Sequence, residues 1–281
     1  MKRVAYLMAL PSVILFLLFP AASIYLVGHL SLFKSDYLNY KFVGVLNYVT
    51  ILQDAKFWTS VLNGLFYCAA ITPMVVIIAL AIAFLACEFP PKIQNAVKFA
   101  LYIPVLTAGI IIANVWKWIF APAGVINWLI GLVGLGPWPW LTEATLAKLS
   151  ISITMSSTVF GIYLIMILAS IMAIPKQLFE AARIDGASPL QIKLRIVLPI
   201  IMPTILLIVM FLIIQGMQIW EFVWMMTSGG PAGGSATPAF NIYETAFTYG
   251  QYGLASAKSL ILMLIILLVV LIQKRIERWS R

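Results

Sequence analysis

Six long apolar stretches dominate this chain, and each has room for about 20 residues, the length of an α-helix that crosses a membrane. They cover approximately Val4–Leu30, Asn63–Cys87, Val97–Phe120, Leu149–Ala173, Met202–Met225 and Leu254–Ile272. Only 10% of the 281 residues are charged, whereas soluble domains contain about 25%. We therefore expect an all-α integral membrane protein with six transmembrane helices.

The first apolar stretch is too long for a cleavable signal peptide. It follows Lys2 and Arg3 and continues to about Phe33, whereas the apolar core of a signal peptide has about 7–15 residues. We expect it to be retained as a membrane anchor. The chain also has two cysteines and a single histidine, which give no metal-ligand spacing. We therefore predict no metal site.

The basic residues are distributed unequally between the two sides of a six-span chain. Twelve of the 18 lie on one side: two each in the N-terminal segment and the loop at 88–99, four each in the loop at 176–195 and the C-terminal tail. The other six are Lys34, Lys41, Lys56, Lys117, Lys148 and Lys258. Because basic residues accumulate in cytoplasmic loops, we expect both termini in the cytoplasm. This distribution also accounts for the net charge of +9 without a nucleic-acid partner.

The three loops on the opposite side are too short for a separate folded domain. The first, residues 31–62, and the second, residues 121–147, alternate apolar and polar residues. This pattern predicts short helices that lie on the membrane surface. The third loop opens with the glycine-rich segment Ser228–Pro238, which we expect to be flexible.

A polar segment, Glu180–Pro199, carries regular helical punctuation between two apolar stretches. Leu178, Ala181 and Ala182 have the spacing of one helical face. Asp185 and Gly186 are expected to end that helix, because glycine accepts the left-handed conformation that follows a helix C-terminus.

A second helix is predicted to begin directly after this corner. Ser188 is a predicted N-cap, with Pro189 as the first helical residue and Gln191 completing a capping box. Pro199 and Pro203 are expected to mark the entry to the next span.

The same segment resembles the EAA loop of the membrane subunits of bacterial ATP-binding-cassette (ABC) importers. The match comprises Glu180-Ala181-Ala182, three residues, Gly186, nine residues, Ile196, one residue and Leu198-Pro199. In that family the loop is a cytoplasmic coupling helix that docks into a groove on the ATP-hydrolysing subunit. The resemblance implies this role for Glu180, Ala181, Ala182, Asp185 and Gly186.

Further segments resemble the carbohydrate-uptake branch of these permeases, in particular the first of two paired permeases of the maltose and glycerol phosphate type. They include Val115–Asn127, Trp220–Pro231 and Phe247–Ser259. Glu221 departs from the pattern, since the branch more often has Asn or Asp there. The large outer domain of the maltose permease is also absent.

The fifth apolar stretch contains the most polar residues, and these are the candidates for contact with a solute. Gln215, Gln218 and Glu221 recur every three residues, with Trp220 beside them. Polar side chains in a span face the bundle interior or a wet cavity, and amide and carboxylate groups can hydrogen-bond sugar hydroxyls. Hydrogen bonding between helices is an equal alternative for the glutamines. In the third stretch, Asn114 is an additional candidate, and Lys117 is expected to extend outward.

No P-loop pattern occurs in the chain, so ATP is not expected to bind here through a P-loop. The resemblance implies that ATP and Mg²⁺ are bound by partner subunits, and that this chain is a transport subunit without cofactor or catalytic residue. It further implies that this chain lies in the bacterial inner membrane and forms a heterodimer with a second permease. The other implied partners are two ATP-binding subunits and an external solute-binding protein.

We therefore predict a type I ABC importer permease fold with a cytoplasmic EAA coupling helix. The expected parts are residues 1–56 (first helix and outer loop), 57–276 (five-helix permease core) and 277–281 (cytoplasmic tail). The expected solute is a sugar, a polyol or glycerol phosphate. The alternatives are an ion-coupled secondary transporter or channel subunit, which would need a charge relay or broken helices, and a non-transporting membrane anchor.

Overall fold

The computed structural model describes residues 2–35 and 40–279, which are almost entirely helical. The helices are α1 (Lys2–Phe16), α2 (Ala22–Leu30), α3 (Leu46–Leu52), α4 (Ala55–Ala86), α5 (Pro91–Leu106), α6 (Gly109–Ile119), α7 (Val125–Leu132), α8 (Ala144–Met172), α9 (Lys176–Ile184), α10 (Pro189–Ile192), α11 (Leu198–Gln218), α12 (Glu221–Thr227), α13 (Pro238–Tyr243) and α14 (Tyr252–Trp279). Three π-helical turns lie at Leu17–Ala21, Lys193–Val197 and Glu244–Thr248. The strands β1 (Phe33–Ser35) and β2 (Tyr40–Phe42) form an antiparallel pair.

Five helical segments are long and apolar enough to cross a membrane, and a sixth span results if a bent pair of helices is counted as one. The five are Leu10–Leu30, Ala55–Ala86, Ala144–Met172, Pro189–Gln218 and Tyr252–Arg275. The bent pair is α5 with α6. Each of the six predicted spans therefore has a counterpart, and the all-α prediction is confirmed apart from the short β1–β2 pair.

The third span is not the continuous helix that the sequence predicted. The axes of α5 and α6 differ by 95°, and the two residues between them, Thr107 and Ala108, have extended backbone. Pro104 lies in the last turn of α5, where its missing N–H removes a helical hydrogen bond. The third span is therefore a broken span, a feature that the apolar run did not indicate.

Contacts group the chain into two compact units, and the first comprises residues 1–58 and 241–268. Contacts thus group the N-terminal segment with residues 241–268, and the division at residues 56 and 276 stays a prediction. Within this unit Gly253, at the start of α14, lies so close to β1 that a Cβ there would overlap the carbonyl oxygen of Phe33. A short helix of the kind predicted for the first loop is present as α3, and its position on the membrane surface stays a prediction.

The second unit comprises residues 59–240 and 269–281 and contains the main hydrophobic core. The core is built mainly by α4, α8 and α11, with side chains such as Tyr67, Leu164 and Leu212. Gly161 of α8 lies directly against the backbone of α5, so that a Cβ there would overlap the carbonyl oxygen of Leu101. The second loop also contains a short helix, α7, as predicted.

The fifth span begins much earlier than predicted. A continuous helical segment runs from Pro189 to Gln218, through α10, a π-helical turn and α11. Pro199 and Pro203 lie inside it rather than at its entry. Pro199 lies two residues after the end of the π-helical turn at Lys193–Val197. Such a widened turn accommodates a local disruption of the helical hydrogen-bond ladder.

Candidate coupling corner and translocation pathway

The corner at Gly186 has the geometry that its sequence predicted. Gly186 has a φ of +79°, in the left-handed region that favours glycine. The N–H of Gly186 donates to the carbonyl oxygen of Arg183 at 3.1 Å, and the N–H of Ala187 donates to the carbonyl oxygen of Ala182 at 2.9 Å. These two hydrogen bonds form a Schellman motif, which terminates α9 and turns the chain.

The next helix begins with the predicted capping box. The hydroxyl oxygen of Ser188 accepts the N–H of Gln191 at 3.3 Å, and the side-chain oxygen of Gln191 accepts the N–H of Ser188 at 2.8 Å. Pro189 is the first helical residue. The two reciprocal bonds satisfy backbone donors that a helix start leaves unpaired, so the entry direction of the long segment Pro189–Gln218 is fixed locally.

The two alanines of α9 face different surroundings, which corrects the predicted common face. Ala182 is only 7% exposed and belongs to the hydrophobic core, whereas Ala181 is exposed. Glu180 is exposed as well, and Ile184 is 85% exposed. The helical spacing was correct, but the core contacts the edge of that face. The surface that a partner could meet is therefore formed by Gln177, Glu180, Ala181 and Ile184, with Asp185 exposed beside it.

The predicted polar stripe of the fifth span is divided between two helices. Gln215 and Gln218 lie in the last turn of α11, and Glu221 is the first residue of α12. Between them Ile219 is extended, with φ −61° and ψ 122°. The hydroxyl of Thr237 donates to the carbonyl oxygen of Ile219, which satisfies an acceptor that the break leaves without a helical partner. The prediction that these three polar residues lie on one helix of the fifth span was therefore wrong.

The break in the fifth span lies against the break in the third. The Glu221 carboxylate contacts Gly109, the first residue of α6, so closely that a Cβ there would overlap Oε1. Helices α6 and α12 pack together, and Lys117 Nζ donates to the carbonyl oxygen of Met225 at 3.0 Å. Lys117 thus ties the two helices together instead of simply extending outward. A carboxylate at the start of α6 is favourably placed relative to that helix dipole.

The remaining candidate residues are distributed around these breaks. Gln218 and Trp220 are exposed, and the Trp220 and Trp224 rings have centroids 6.3 Å apart. Gln215 is exposed as well, and its side chain lies close to Tyr163 of α8. Asn114 is exposed on α6.

The glycine-rich third loop is ordered, in contrast to its expected flexibility. Ser235 is 0% exposed, and its carbonyl oxygen accepts the Tyr67 hydroxyl at 2.9 Å. Asn63 Nδ2 donates to the carbonyl oxygens of Gly233 and Ala236 at 3.1 and 3.0 Å. Hydroxyl residues close to glycines are a turn signal, but the partners lie on α4, about 170 positions away in sequence. The sequence therefore did not indicate that side chains of α4 hold the backbone of this loop.

The described part of the chain contains no group of three or more His, Cys, Asp or Glu residues that could hold a metal ion. Its candidate chemistry consists of hydrogen-bonding groups, exposed aromatic rings and one carboxylate at two helix breaks. Such groups can bind and release a polar solute but do not form a constellation for covalent catalysis.

Comparison with known proteins gives the family. Residues 42–281 match the family model described as "Binding-protein-dependent transport system inner membrane component". The trehalose/maltose transport system permease protein MalF of Thermococcus litoralis is 27% identical over 285 residues, covering 99% of this chain and 95% of that protein. The arabinooligosaccharides transport system permease protein AraP of Bacillus subtilis is 28% identical, covering 98% and 89%.

A solved structure has the same fold. It is a chain of a bacterial ABC transporter involved in the import of the acidic polysaccharide alginate, with a TM-score of 0.82 and 25% identity. The match covers 99% of this chain and 96% of that chain. The predicted type I permease fold and the transport function without enzymatic activity are therefore confirmed. This chain belongs to the family of binding-protein-dependent transport system inner membrane components, and it is a permease subunit of an ABC importer.

Proposed function

We propose that this permease forms half of the translocation pathway for a carbohydrate-class solute: a sugar, a polyol or glycerol phosphate. Several relatives support this class, since their names refer to trehalose/maltose, arabinooligosaccharides and sulfoquinovosyl glycerol. In the proposed assembly it pairs with a second, unlike permease, two ATP-binding subunits and an external binding protein. ATP and Mg²⁺ are then bound by the ATP-binding subunits. The proposed location is the bacterial inner membrane, with both termini in the cytoplasm.

The observation that carries the proposal is the continuous helical segment Pro189–Gln218. One end starts at the Gly186 corner, and the other end stops at the break beside Trp220 and Glu221. A displacement of α9 by an ATP-binding subunit would be transmitted along this helical segment to the candidate solute contacts. Alternating access requires such a connection, because the ATP-driven movement and the solute site lie at opposite ends of the segment.

The coupling surface in this proposal is the exposed face of α9. Ile184 and Ala181 supply apolar contact, and Glu180 supplies a carboxylate that can accept charge-assisted hydrogen bonds. Asp185 and Gly186 form the corner that positions them. Ala182 contributes from the opposite side, because its burial holds α9 on the permease.

The solute contacts in this proposal are Gln218, Trp220 and Glu221, with Asn114 on the neighbouring helix. The amide and carboxylate groups would bond solute hydroxyls, and the exposed indole would cover an apolar sugar face. Gln215, which interacts with Tyr163, has the weakest claim to solute contact among the named residues.

The test is uptake by the reconstituted transporter carrying Gln218→Leu, which removes an exposed amide at the end of α11. We expect uptake to be lost while the complex assembles and ATP hydrolysis continues, because the coupling corner is intact. Normal uptake kinetics would return Gln218 to a helix-packing role. The second measurement is whether an ATP-binding subunit copurifies with this chain. A chain that transports solute without an ATP-binding subunit would support the ion-coupled alternative and overturn the proposal.

A further inference from the structure

A cavity of about 470 Å³ lies on the side of α9 opposite to the exposed coupling face. Its apolar lining comes from four separate segments: Phe84 of α4, Ile171 of α8, Phe179 of α9 and Ile192 of α10. Three of these segments adjoin the ends of membrane spans, since α4 ends at Ala86, α8 ends at Met172 and Pro189 starts the next span. The cavity therefore lies where three helices that are long and apolar enough to cross a membrane begin or end.

The rim of this cavity carries more positive than negative charge. Arg183 and Lys193 line it together with a single acid, Glu88. Lys193 forms a salt bridge with Glu88. Among the side chains that the structure describes, at residues 8, 10–35 and 40–275, the salt bridges are this one and Lys258–Asp54. The exposed guanidinium of Arg183 therefore has no carboxylate partner among these described side chains.

We propose that this cavity binds one anionic phospholipid, with the phosphate on Arg183 and an acyl chain along Phe84, Ile171 and Phe179. Basic pockets between transmembrane helices bind anionic headgroups, and a guanidinium can bond a phosphate through two parallel N–H donors. The apolar lining favours a lipid over a free anion, because a small hydrated anion would gain nothing from covering it. The leaflet is the cytoplasmic one, an assignment that rests on the proposed orientation.

A bound lipid would also affect the coupling corner, a consequence that rests on the proposed function. Phe179 and Ala182 hold α9 on the permease from the side of the cavity and the core. A lipid in this position would link α9 to the end of α4. It would stiffen the element that receives the partner's movement. Lipid composition would thus modulate coupling without altering the solute site.

The chain contains its own reporter for this site. Cys87 lines the cavity and is an exposed free thiol, whereas Cys68 is buried. The full transporter in detergent is treated with a maleimide, and the Cys87-containing peptide is quantified by mass spectrometry over time. Micelles are supplemented with phosphatidylglycerol, phosphatidylcholine or inorganic phosphate. ATP and solute are omitted, so that a failure of the coupling proposal leaves this measurement unaffected.

We expect phosphatidylglycerol at about ten times its dissociation constant to slow Cys87 labelling about tenfold, because only about a tenth of the sites remain empty. Phosphatidylcholine and inorganic phosphate should have no such effect. Arg183→Gln should abolish the protection, whereas Arg195→Gln should preserve it. Arg195 is exposed in the same stretch but does not line the cavity.

Four results would overturn the proposal. Phosphatidylcholine could protect Cys87 equally well, inorganic phosphate could protect it, or protection could persist in Arg183→Gln. The fourth is protection of Cys87 by the ATP-binding subunit alone, without added lipid. Native mass spectrometry of the unmodified transporter provides a measurement that needs no variant. It should detect retained phosphatidylglycerol in preference to phosphatidylcholine. Equal retention of the two lipids would contradict the charge-based selection.

Discussion

Lys258 Nζ lies 2.9 Å from Asp54 Oδ2, and the other oxygen of the same carboxylate accepts the N–H of Phe57 at 3.1 Å. One aspartate thus caps the start of α4 and neutralises a lysine of α14 that is 3% exposed. The ammonium also donates to Asn241 Oδ1 at 2.7 Å and to Thr245 Oγ1 at 3.0 Å. All three donors of the ammonium are therefore satisfied, which makes a buried charge tolerable in an apolar span.

We predict that Lys258→Met destabilises the first compact unit. The substitution leaves the Asp54 carboxylate and two further oxygens without their cation, and breaking a buried pair from one side costs about 3–5 kcal/mol. Thermal unfolding of the purified transporter should therefore begin at a lower temperature. Lys56→Met is the matched control, because Lys56 is exposed beside the same site. Equal unfolding temperatures for the two variants would argue against a stabilising role for the ion pair.

The pH dependence of this ion pair follows from the pKa of Asp54. Burial raises that pKa, but the hydrogen bond from Lys258, the Phe57 N–H and the lysine charge together lower it below its ordinary value of 3.8. The carboxylate therefore contributes stability that is fully present above pH about 4 and is lost as the pH falls through the lower folded-state pKa. Asp54→Asn should unfold earlier than the wild type at neutral pH. The difference should shrink in acid, and a constant difference would contradict this sign.

A third prediction concerns the close contact between Gly109 and Glu221. Gly109→Ala places a methyl group where Oε1 now lies, and the flexible end of Glu221 can move aside without unfolding the helices. If this carboxylate contacts solute, uptake should fall by at least about tenfold, equivalent to about 1.4 kcal/mol, while the melting temperature changes little. Gly131→Ala is the control, because no atom lies within 4 Å of the added Cβ. Normal uptake by Gly109→Ala would show that transport does not depend on the position of the Glu221 carboxylate.

Local signals predicted the coupling corner, and distant contacts determined what sequence reasoning missed. Gly186, Ser188 and Gln191 act through bonds spanning at most five residues, so their pattern is readable directly. The break at Ile219 is supported by Thr237, and nothing in the apolar run itself indicates that hydroxyl.

Orientation within the fold was equally hidden from the sequence. Helical spacing placed Ala181 and Ala182 together, but only the position of the core decides that Ala182 is buried. In the same way, a glycine-rich segment reads as flexible until Asn63 and Tyr67 are seen to bond its backbone. Both errors concern long-range packing, for which a single sequence carries no direct signal.

The fourth prediction tests the proposed orientation by cysteine labelling in a Cys87→Ser background. Gln177→Cys should react with a membrane-impermeant maleimide only from the cytoplasmic side, and Thr142→Cys only from the outside. Both side chains are exposed, whereas Ser235 is fully buried and is unsuitable as an outer reporter. The unequal distribution of basic residues motivates this expectation. Labelling of Gln177→Cys from the outer face would reverse the orientation and remove α9 from reach of a cytoplasmic ATPase.

The last prediction concerns the coupling face, where Ile184 is the most exposed large apolar side chain of α9. An isoleucine that is 85% exposed gains free energy when a partner covers it, by about 1.5–3 kcal/mol for full burial. Ile184→Asp should therefore weaken association with the ATP-binding subunit by about tenfold or more, since each 1.4 kcal/mol is about a factor of ten. Ala181→Trp should act similarly by steric exclusion. Both variants should insert and fold normally, because neither side chain belongs to the core.

The controls separate coupling from folding. Asn95→Trp adds the same bulk at an exposed position of α5 and should leave association unchanged. Ala182→Trp should behave differently from Ala181→Trp, because it inserts an indole into the core and lowers stability. Gly186→Val forces a β-branched residue into a left-handed backbone, at a cost of about 1–2 kcal/mol, and should displace the start of the long helix. Copurification of the ATPase measures association, and solute-stimulated ATP hydrolysis measures coupling. Wild-type values for Ile184→Asp and Ala181→Trp would show that this face is not where the ATPase binds.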